Sequence, residues 1–254
     1  MLLAVDVGNT QTVLGLFEGS QLVDEWRVAT DVGRTGDELG ALLDSLLRAR
    51  GHTREDVGAL ALSSVVPALN REYDRMTRRY LGVEALVVGP GIKTGMPILT
   101  SNPREVGADL IVDAVAAYET VGGPCVVVDF GTATTFGAVS AKGEYLGHAI
   151  APGIQTAMDA LAVRAAKLPR VELADPGSVI GKTTVHSMQA GAVYGFAGQV
   201  DGIVSRMRAE LGGSAVSVAT GGLAPLIFTH AATLDRLDEH LTLRGLEIIH
   251  RRNL

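Results

Sequence analysis

Two short runs in this 254-residue chain have the make-up of phosphate-handling loops: Asp6-Val7-Gly8-Asn9-Thr10 and Asp129-Phe130-Gly131-Thr132. In each, an apolar stretch ends in an acid, and an acid at the end of a buried strand is costly unless cations or donors partner it. A glycine two residues later lets the chain turn sharply and bring backbone N–H groups close to a ligand. Asn9 and Thr10 add short side-chain donors. Such a loop can hold a Mg²⁺-bound polyphosphate, with the carboxylate on the metal side. A single Asp-x-Gly-Asn-Thr is equally an ordinary turn, because Asp and Asn favour turns locally. Its recurrence gives the pattern force. A third run, Asn102-Pro103-Arg104-Glu105-Val106-Gly107-Ala108-Asp109, reads as a helix start. Asp109 there is either a general base for a substrate hydroxyl or an acid favoured by the helix dipole.

Other chemistries lack their residues. Gly181-Lys182-Thr183 resembles the end of a P-loop, but the required earlier glycine would fall at position 176, which is Pro. There is no G-x-G-x-x-G loop and no G-x-S-x-G elbow. The six histidines, at 52, 148, 186, 230, 240 and 250, show no metal-ligand spacing. The lone Cys125 lies in the apolar run Cys125-Val126-Val127-Val128 and reads as a small core residue.

The elements that must position the two loops form an internal repeat. Residues 3–17 (LAVDVGNTQTVLGLF) and 126–140 (VVVDFGTATTFGAVS) align with an offset of 123, placing Asp6 on Asp129, Gly8 on Gly131 and Thr12 on Thr135. Each copy reads as strand, turn, strand, turn, strand, the third strands being 21–28 and 144–150. A helix follows each. Thr35-Gly36-Asp37-Glu38 is a capping box, and Leu39, Leu42, Leu43, Leu46 and Leu47 keep helical spacing up to Gly51. In the second half the helix spans 153–168 and stops at Pro169. Strands at 59–66 and 84–88, helices at 67–81 and 103–121, a long helix from Thr184 to about 211, a strand at 216–220 and a helix after His240 complete the reading. Two related units in tandem imply an α/β protein of two domains facing each other across a cleft.

The totals narrow the partners. Aromatics are 4% and net charge is −6, with no basic stripe, so nucleic acid is not expected as a partner. No apolar run reaches the ~18 residues of a membrane span, so no membrane partner is expected either. The first residues lack the basic region of a signal peptide. With one cysteine, a reducing, cytoplasmic location is expected.

Together the motifs resemble the type III pantothenate kinase family, also called the Bvg accessory factor family, of the actin-like ATPase and acetate and sugar kinase superfamily. The resemblance rests on Asp6 to Thr10, Gly89-Pro90-Gly91-Ile92-Lys93-Thr94-Gly95, Asn102 to Asp109 and Val128 to Thr135. It continues through Gly181-Lys182-Thr183-Thr184-Val185, Ser187-Met188-Gln189-Ala190-Gly191 and Thr220-Gly221-Gly222. It implies duplicated actin-like ATPase (ribonuclease H-like) domains, each a mixed sheet with flanking helices, at residues 1–115 and 116–254, and a homodimer. It implies ATP-dependent phosphorylation of pantothenate to 4′-phosphopantothenate, the first step of coenzyme A synthesis, with Mg²⁺ and a monovalent cation, K⁺ or NH₄⁺. Asp6, Val7, Gly8, Asn9, Thr10, Gln11, Thr12 and Val13 would form the first phosphate loop, and Thr132 would contact ATP. Gly107, Ala108, Asp109, Leu110 and Thr184 would contact pantothenate, with Asp109 as proton acceptor, and Asp129 would bind the monovalent cation. The sequence departs from the family pattern at Leu110, where an arginine is expected to pair with the pantothenate carboxylate, and at Asp113, where the family has Asn. These departures keep open an alternative: a family member with altered or lost pantothenate binding, acting on another hydroxyl or as a non-catalytic regulatory protein.

Overall fold

The computed structural model describes residues 1–254. The chain divides into two units. The first comprises Met1–Met96, Asn102–Ala116 and Thr242–Leu254; the second comprises Pro97–Ser101 and Ala117–Leu241.

In the first unit, β1 (Leu2–Val7), β2 (Gln11–Glu18) and β3 (Gln21–Ala29) form an antiparallel meander. Helix α1 (Gly36–Ala49) follows, then β4 (Ala59–Ser64), α2 (Pro67–Met76) and β5 (Ala85–Val87). β4 runs parallel to β1 and β5 parallel to β4, giving the order β3-β2-β1-β4-β5. The capping box at Thr35 forms: Thr35 Oγ accepts from Glu38 N–H, and the Glu38 carboxylate accepts from Thr35 N–H at 2.8 Å. The leucines of α1 fold onto the sheet as their spacing requires, with Leu39, Leu43 and Leu47 packed with Leu3, Val5, Leu60 and Leu62. Helix α3 (Ala108–Val121) belongs to this unit as far as Ala116. It begins later than expected. Pro103–Glu105 is a separate turn of 3₁₀ helix, and the chain is extended at Val106 before α3 starts.

The second unit repeats the plan. β6 (Cys125–Phe130), β7 (Ala133–Val139) and β8 (Tyr145–Pro152) form a meander, followed by α4 (Ile154–Arg164), α5 (Thr184–Glu210), β9 (Val216–Thr220), α6 (Ala224–Phe228) and β10 (Arg236–Leu237). The order β10-β9-β6-β7-β8 is that of the first sheet, with β9 parallel to β6 and β10 parallel to β9. Its core gathers Val126, Val128, Phe130 and Phe136 against Ile154, Val200 and Val204. Cys125 is fully buried, which pushes its thiol up to about 12.

The last helix, α7 (Leu241–Arg252), was expected with the second half, yet from Thr242 onward it packs in the first unit. Gly245 makes this packing close: a Cβ there would overlap the Val112 backbone of α3. At its end, Asn253 Nδ2 donates to the Lys93 carbonyl at 3.0 Å and its Oδ1 accepts from Lys93 N–H.

Candidate active site

The first phosphate loop is the hairpin between β1 and β2. Asp6 and Val7 end β1, Gly8, Asn9 and Thr10 make the turn, and Gln11, Thr12 and Val13 begin β2. These eight residues do not have equal access to a ligand. Val7 and Thr12 are buried, and Gly8 N–H is spent on the Gln11 carbonyl at 3.0 Å. The Thr12 and Thr30 hydroxyls bond each other at 2.9 Å, and Thr30 Oγ also donates to the Gly8 carbonyl at 2.8 Å. Asn9, Thr10 and Gln11 are exposed. The hairpin is therefore held from within and from β3, and its tip presents polar groups outward.

Asp6 retains partial exposure, yet its carboxyl is surrounded closely enough that burial pushes it to about 7. The negative charge of Asp109 raises it further, and the Ser63 hydroxyl is the one group that draws it down. Asp109 lies in the first turn of α3, its Oδ1 accepting from Leu110 N–H at 2.9 Å. Gly107 gives this carboxylate its space, because a Cβ at 107 would overlap Asp109 Oδ1. Ala108 opens the helix, and Leu110 is half-buried. One turn further on, Asp113 is buried.

Two carboxylates brought together at a turn are the donor set of a hard divalent cation. Mg²⁺ binds through one or two carboxylates plus substrate phosphates, not an all-protein cage. No group of three or more His, Cys, Asp or Glu gathers to hold a metal by itself. The Asp6–Asp109 pair fits that mode.

In the second unit, Asp129 ends β6 and Gly131-Thr132 make the turn. Gly131 N–H donates to the Ala133 carbonyl at 3.0 Å. The Thr132 carbonyl accepts from Gly153 N–H at 3.2 Å and from Thr156 Oγ at 2.8 Å, so the start of α4 pins this turn. Thr132 itself is exposed. Asp129 lies against Gly221, whose φ of +95° is open to glycine alone without strain. A Cβ at 221 would overlap Asp129 Oδ1 and stand 2.7 Å from Phe130 N. The two carboxylate oxygens are thus packed against the glycines at 131 and 221. Thr184, the first residue of α5, is exposed and follows the N-cap Thr183.

Ser63 and Gly221 are neighbours of the two acids that local sequence pattern does not reveal. Ser63 stands beside Asp6 only because β4 aligns with β1, Asp6 opposite Ser63. The Thr220-Gly221-Gly222 run stands out in the sequence, but nothing in it shows that Gly221 faces Asp129.

A family model described as type III pantothenate kinase matches residues 2–206. The chain is 58% identical over 253 residues to a type III pantothenate kinase of Moorella thermoacetica, covering 100% of both. It is likewise 58% identical over 253 residues to one of Myxococcus xanthus, covering 100% of this chain and 99% of that relative. Among solved structures, the inorganic polyphosphate/ATP-glucomannokinase of Arthrobacter sp. strain KM matches with a TM-score of 0.52 and 14% identity, over 99% of this chain and 98% of that one. At that identity the likeness is one of fold, and the fold is the duplicated one of actin-like ATPases and sugar kinases.

Proposed function

The chain belongs to the type III pantothenate kinase family, and from that premise we infer that it transfers the γ-phosphoryl group of ATP to the primary hydroxyl of pantothenate. The product is 4′-phosphopantothenate, and the step opens coenzyme A synthesis. Within the molecule, the observation that supports this reading best is the pairing of Asp6 with Asp109, two acids with different neighbours and different tasks.

In the proposed mechanism the exposed tip of the first loop, Asn9, Thr10 and Gln11, meets the phosphates of ATP, and Thr132 contacts the nucleotide. Asp6 would hold Mg²⁺, which would supply charge neutralisation for the ATP phosphates. Phosphoryl transfer depends mainly on such positioning and charge neutralisation. Gly107, Ala108, Leu110 and Thr184 contact pantothenate. Asp109 orients the acceptor hydroxyl and takes its proton as the new O–P bond forms and the bond from the γ-phosphorus to the ADP oxygen breaks. Asp129 would hold K⁺ or NH₄⁺, whose positive charge would favour ATP binding.

We also place the enzyme in the cytoplasm as a homodimer. No helix is long and apolar enough to cross a membrane. Helix α5 carries Gly191, Gly195 and Gly198, at each of which a Cβ would meet nothing within 4 Å, so this face is open to a close neighbour. Light scattering should give about twice the 26.5 kDa of one chain; a monomer at micromolar concentration rejects the dimer. The decisive experiment for the activity is ADP release with and without pantothenate. Release that depends on pantothenate, with 4′-phosphopantothenate formed in equal amount, is the expected result. ADP release indifferent to pantothenate would sink the reading.

A further inference from the structure

Ser63 is fully buried near the end of β4, and its hydroxyl closes no hydrogen bond of ordinary geometry, although it stands near enough to the Asp6 carboxyl to draw it down. Buried hydroxyls are almost always bonded, so an orphan of this kind needs a reason. Its position supplies one. β1 and β4 are parallel, and the register sets Ser63 opposite Asp6. Side chains at paired positions of adjacent strands leave the same face of a sheet, with the strands about 4.8 Å apart. The Ser63 hydroxyl therefore stands on the Asp6 side of the strand.

The second sheet repeats the placement. β6 and β9 are parallel with Asp129 opposite Thr220, and Thr220 is also buried, at 2% exposure. Two strand-end acids in two related sheets each have a buried hydroxyl residue at the same lateral position. Ordinary core packing gives no reason for a hydroxyl at either place, since an alanine or valine would fill the space without a polar group to satisfy.

We propose that Ser63 is a positioning residue for the first phosphate loop: its hydroxyl donates to the Asp6 carboxylate and holds it in the orientation that receives Mg²⁺. The proposal rests on the reading of Asp6 as the metal-side carboxylate. It gives the buried hydroxyl a partner, and it agrees with the lowering influence of Ser63 on an acid that burial and Asp109 otherwise drive toward its neutral form. Ser63 touches neither nucleotide nor acceptor in this scheme; it acts through Asp6.

The test compares the parent chain with Ser63→Ala, Ser63→Thr and Asp6→Asn. Each is melted over a Mg²⁺ series without nucleotide, and each is assayed for the Mg²⁺ concentration giving half-maximal turnover. Losing one hydrogen bond to a charged group should raise both Mg²⁺ midpoints about tenfold in Ser63→Ala. Its Tm in EDTA should stay within a few degrees of the parent's, because without the ion only one buried hydrogen bond is at stake. KM for pantothenate should not move. Ser63→Thr should return the midpoints to within about twofold of the parent; should its extra methyl prevent folding, Ser63→Cys takes its place with partial recovery expected. Ser63→Ala with the parent's Mg²⁺ midpoints, alongside a shifted Asp6→Asn, overturns the role of Ser63 alone. An unshifted Asp6→Asn overturns both this proposal and the metal-side reading of Asp6.

Discussion

The two Asp-x-Gly hairpins share a plan and differ in what holds the acid. In the first, three residues, Gly8-Asn9-Thr10, separate the strands, and the pairing runs Val7 to Thr12. In the second, two residues, Gly131-Thr132, suffice, and Phe130 pairs with Thr134. Asp6 sits among polar and charged neighbours, Ser63 and Asp109. Asp129 sits against backbone, in a space that exists because residue 221 has no side chain. Ser64 occupies the corresponding place beside Val7 in the first sheet, where no glycine is needed. One strand plan thus supports two solutions, an acid governed by charge and an acid governed by space.

The difference can be broken most severely at Gly221. Gly221→Ala adds a Cβ that overlaps Asp129 Oδ1 and crowds Phe130, at a φ of +95°. Overpacking and left-handed strain each cost about 1–3 kcal/mol, so the loss is several kcal/mol and the variant should melt far below the parent or fail to fold. Ser64→Ala, at the matching place in the first sheet, should stay within about 1 kcal/mol. Equal melting of the two variants removes the distinction. Next in size is Asp109→Asn, which keeps shape but removes the proposed base. Turnover should fall about 10²-fold or more, with ATP binding kept. Near-parental kcat would show that the charge-governed acids do not include the proton acceptor.

Much of this arrangement is legible in the sequence, and what is not has a physical cause. The repeat, both acids and the glycine after each follow from local pattern, as does the capping box at Thr35. The offset of 123 holds for β1 and β6 but not for the strands after them. Thr12 corresponds in register to Thr134, not Thr135, because the second hairpin is one residue shorter. Two adjacent threonines hide the deletion. The helix expected from Pro103 starts at Ala108, where extended backbone at Val106 resets the chain. Lateral neighbours are the harder class. Ser63 beside Asp6, Gly221 against Asp129 and Gly245 on Val112 join residues far apart in the chain, and sheet register or helix docking alone decides them.

The charge-governed side predicts a pH dependence. Asp6 has a carboxyl near 7 in the folded state and 3.8 as its ordinary value. Between about pH 4 and 7 the folded chain keeps a proton that the unfolded chain releases, so stability falls as pH rises through this window. From pH 5 to 8 the loss for the metal-free protein is about 2.5 kcal/mol. Asp6→Asn should flatten the slope, and Mg²⁺ should do the same by stabilising the ionised form. A slope unchanged in Asp6→Asn would assign it to other groups.

Leu110 tests the acceptor end of the same acid-rich region. Asp6, Asp109 and the buried Asp113 lie in one unit, and pantothenate carries a carboxylate into a neighbourhood that already repels anions. Leu110 follows Asp109 in the first turn of α3 and has no donor on its side chain. A guanidinium there would pair with a carboxylate in a fork geometry that no backbone N–H matches. Leu110→Arg should therefore lower KM for pantothenate at least about tenfold, one charge-assisted contact being worth about 1.5–3 kcal/mol. KM for ATP should stay put, because the change adds nothing to the loops at Asp6 and Asp129. Asp113→Asn combined with it should lower KM further, by removing an acid one turn along the same helix. If Leu110→Arg leaves the pantothenate KM unchanged, the carboxylate is bound away from the first turn of α3, and the acids of the first unit act on the hydroxyl end of the substrate alone.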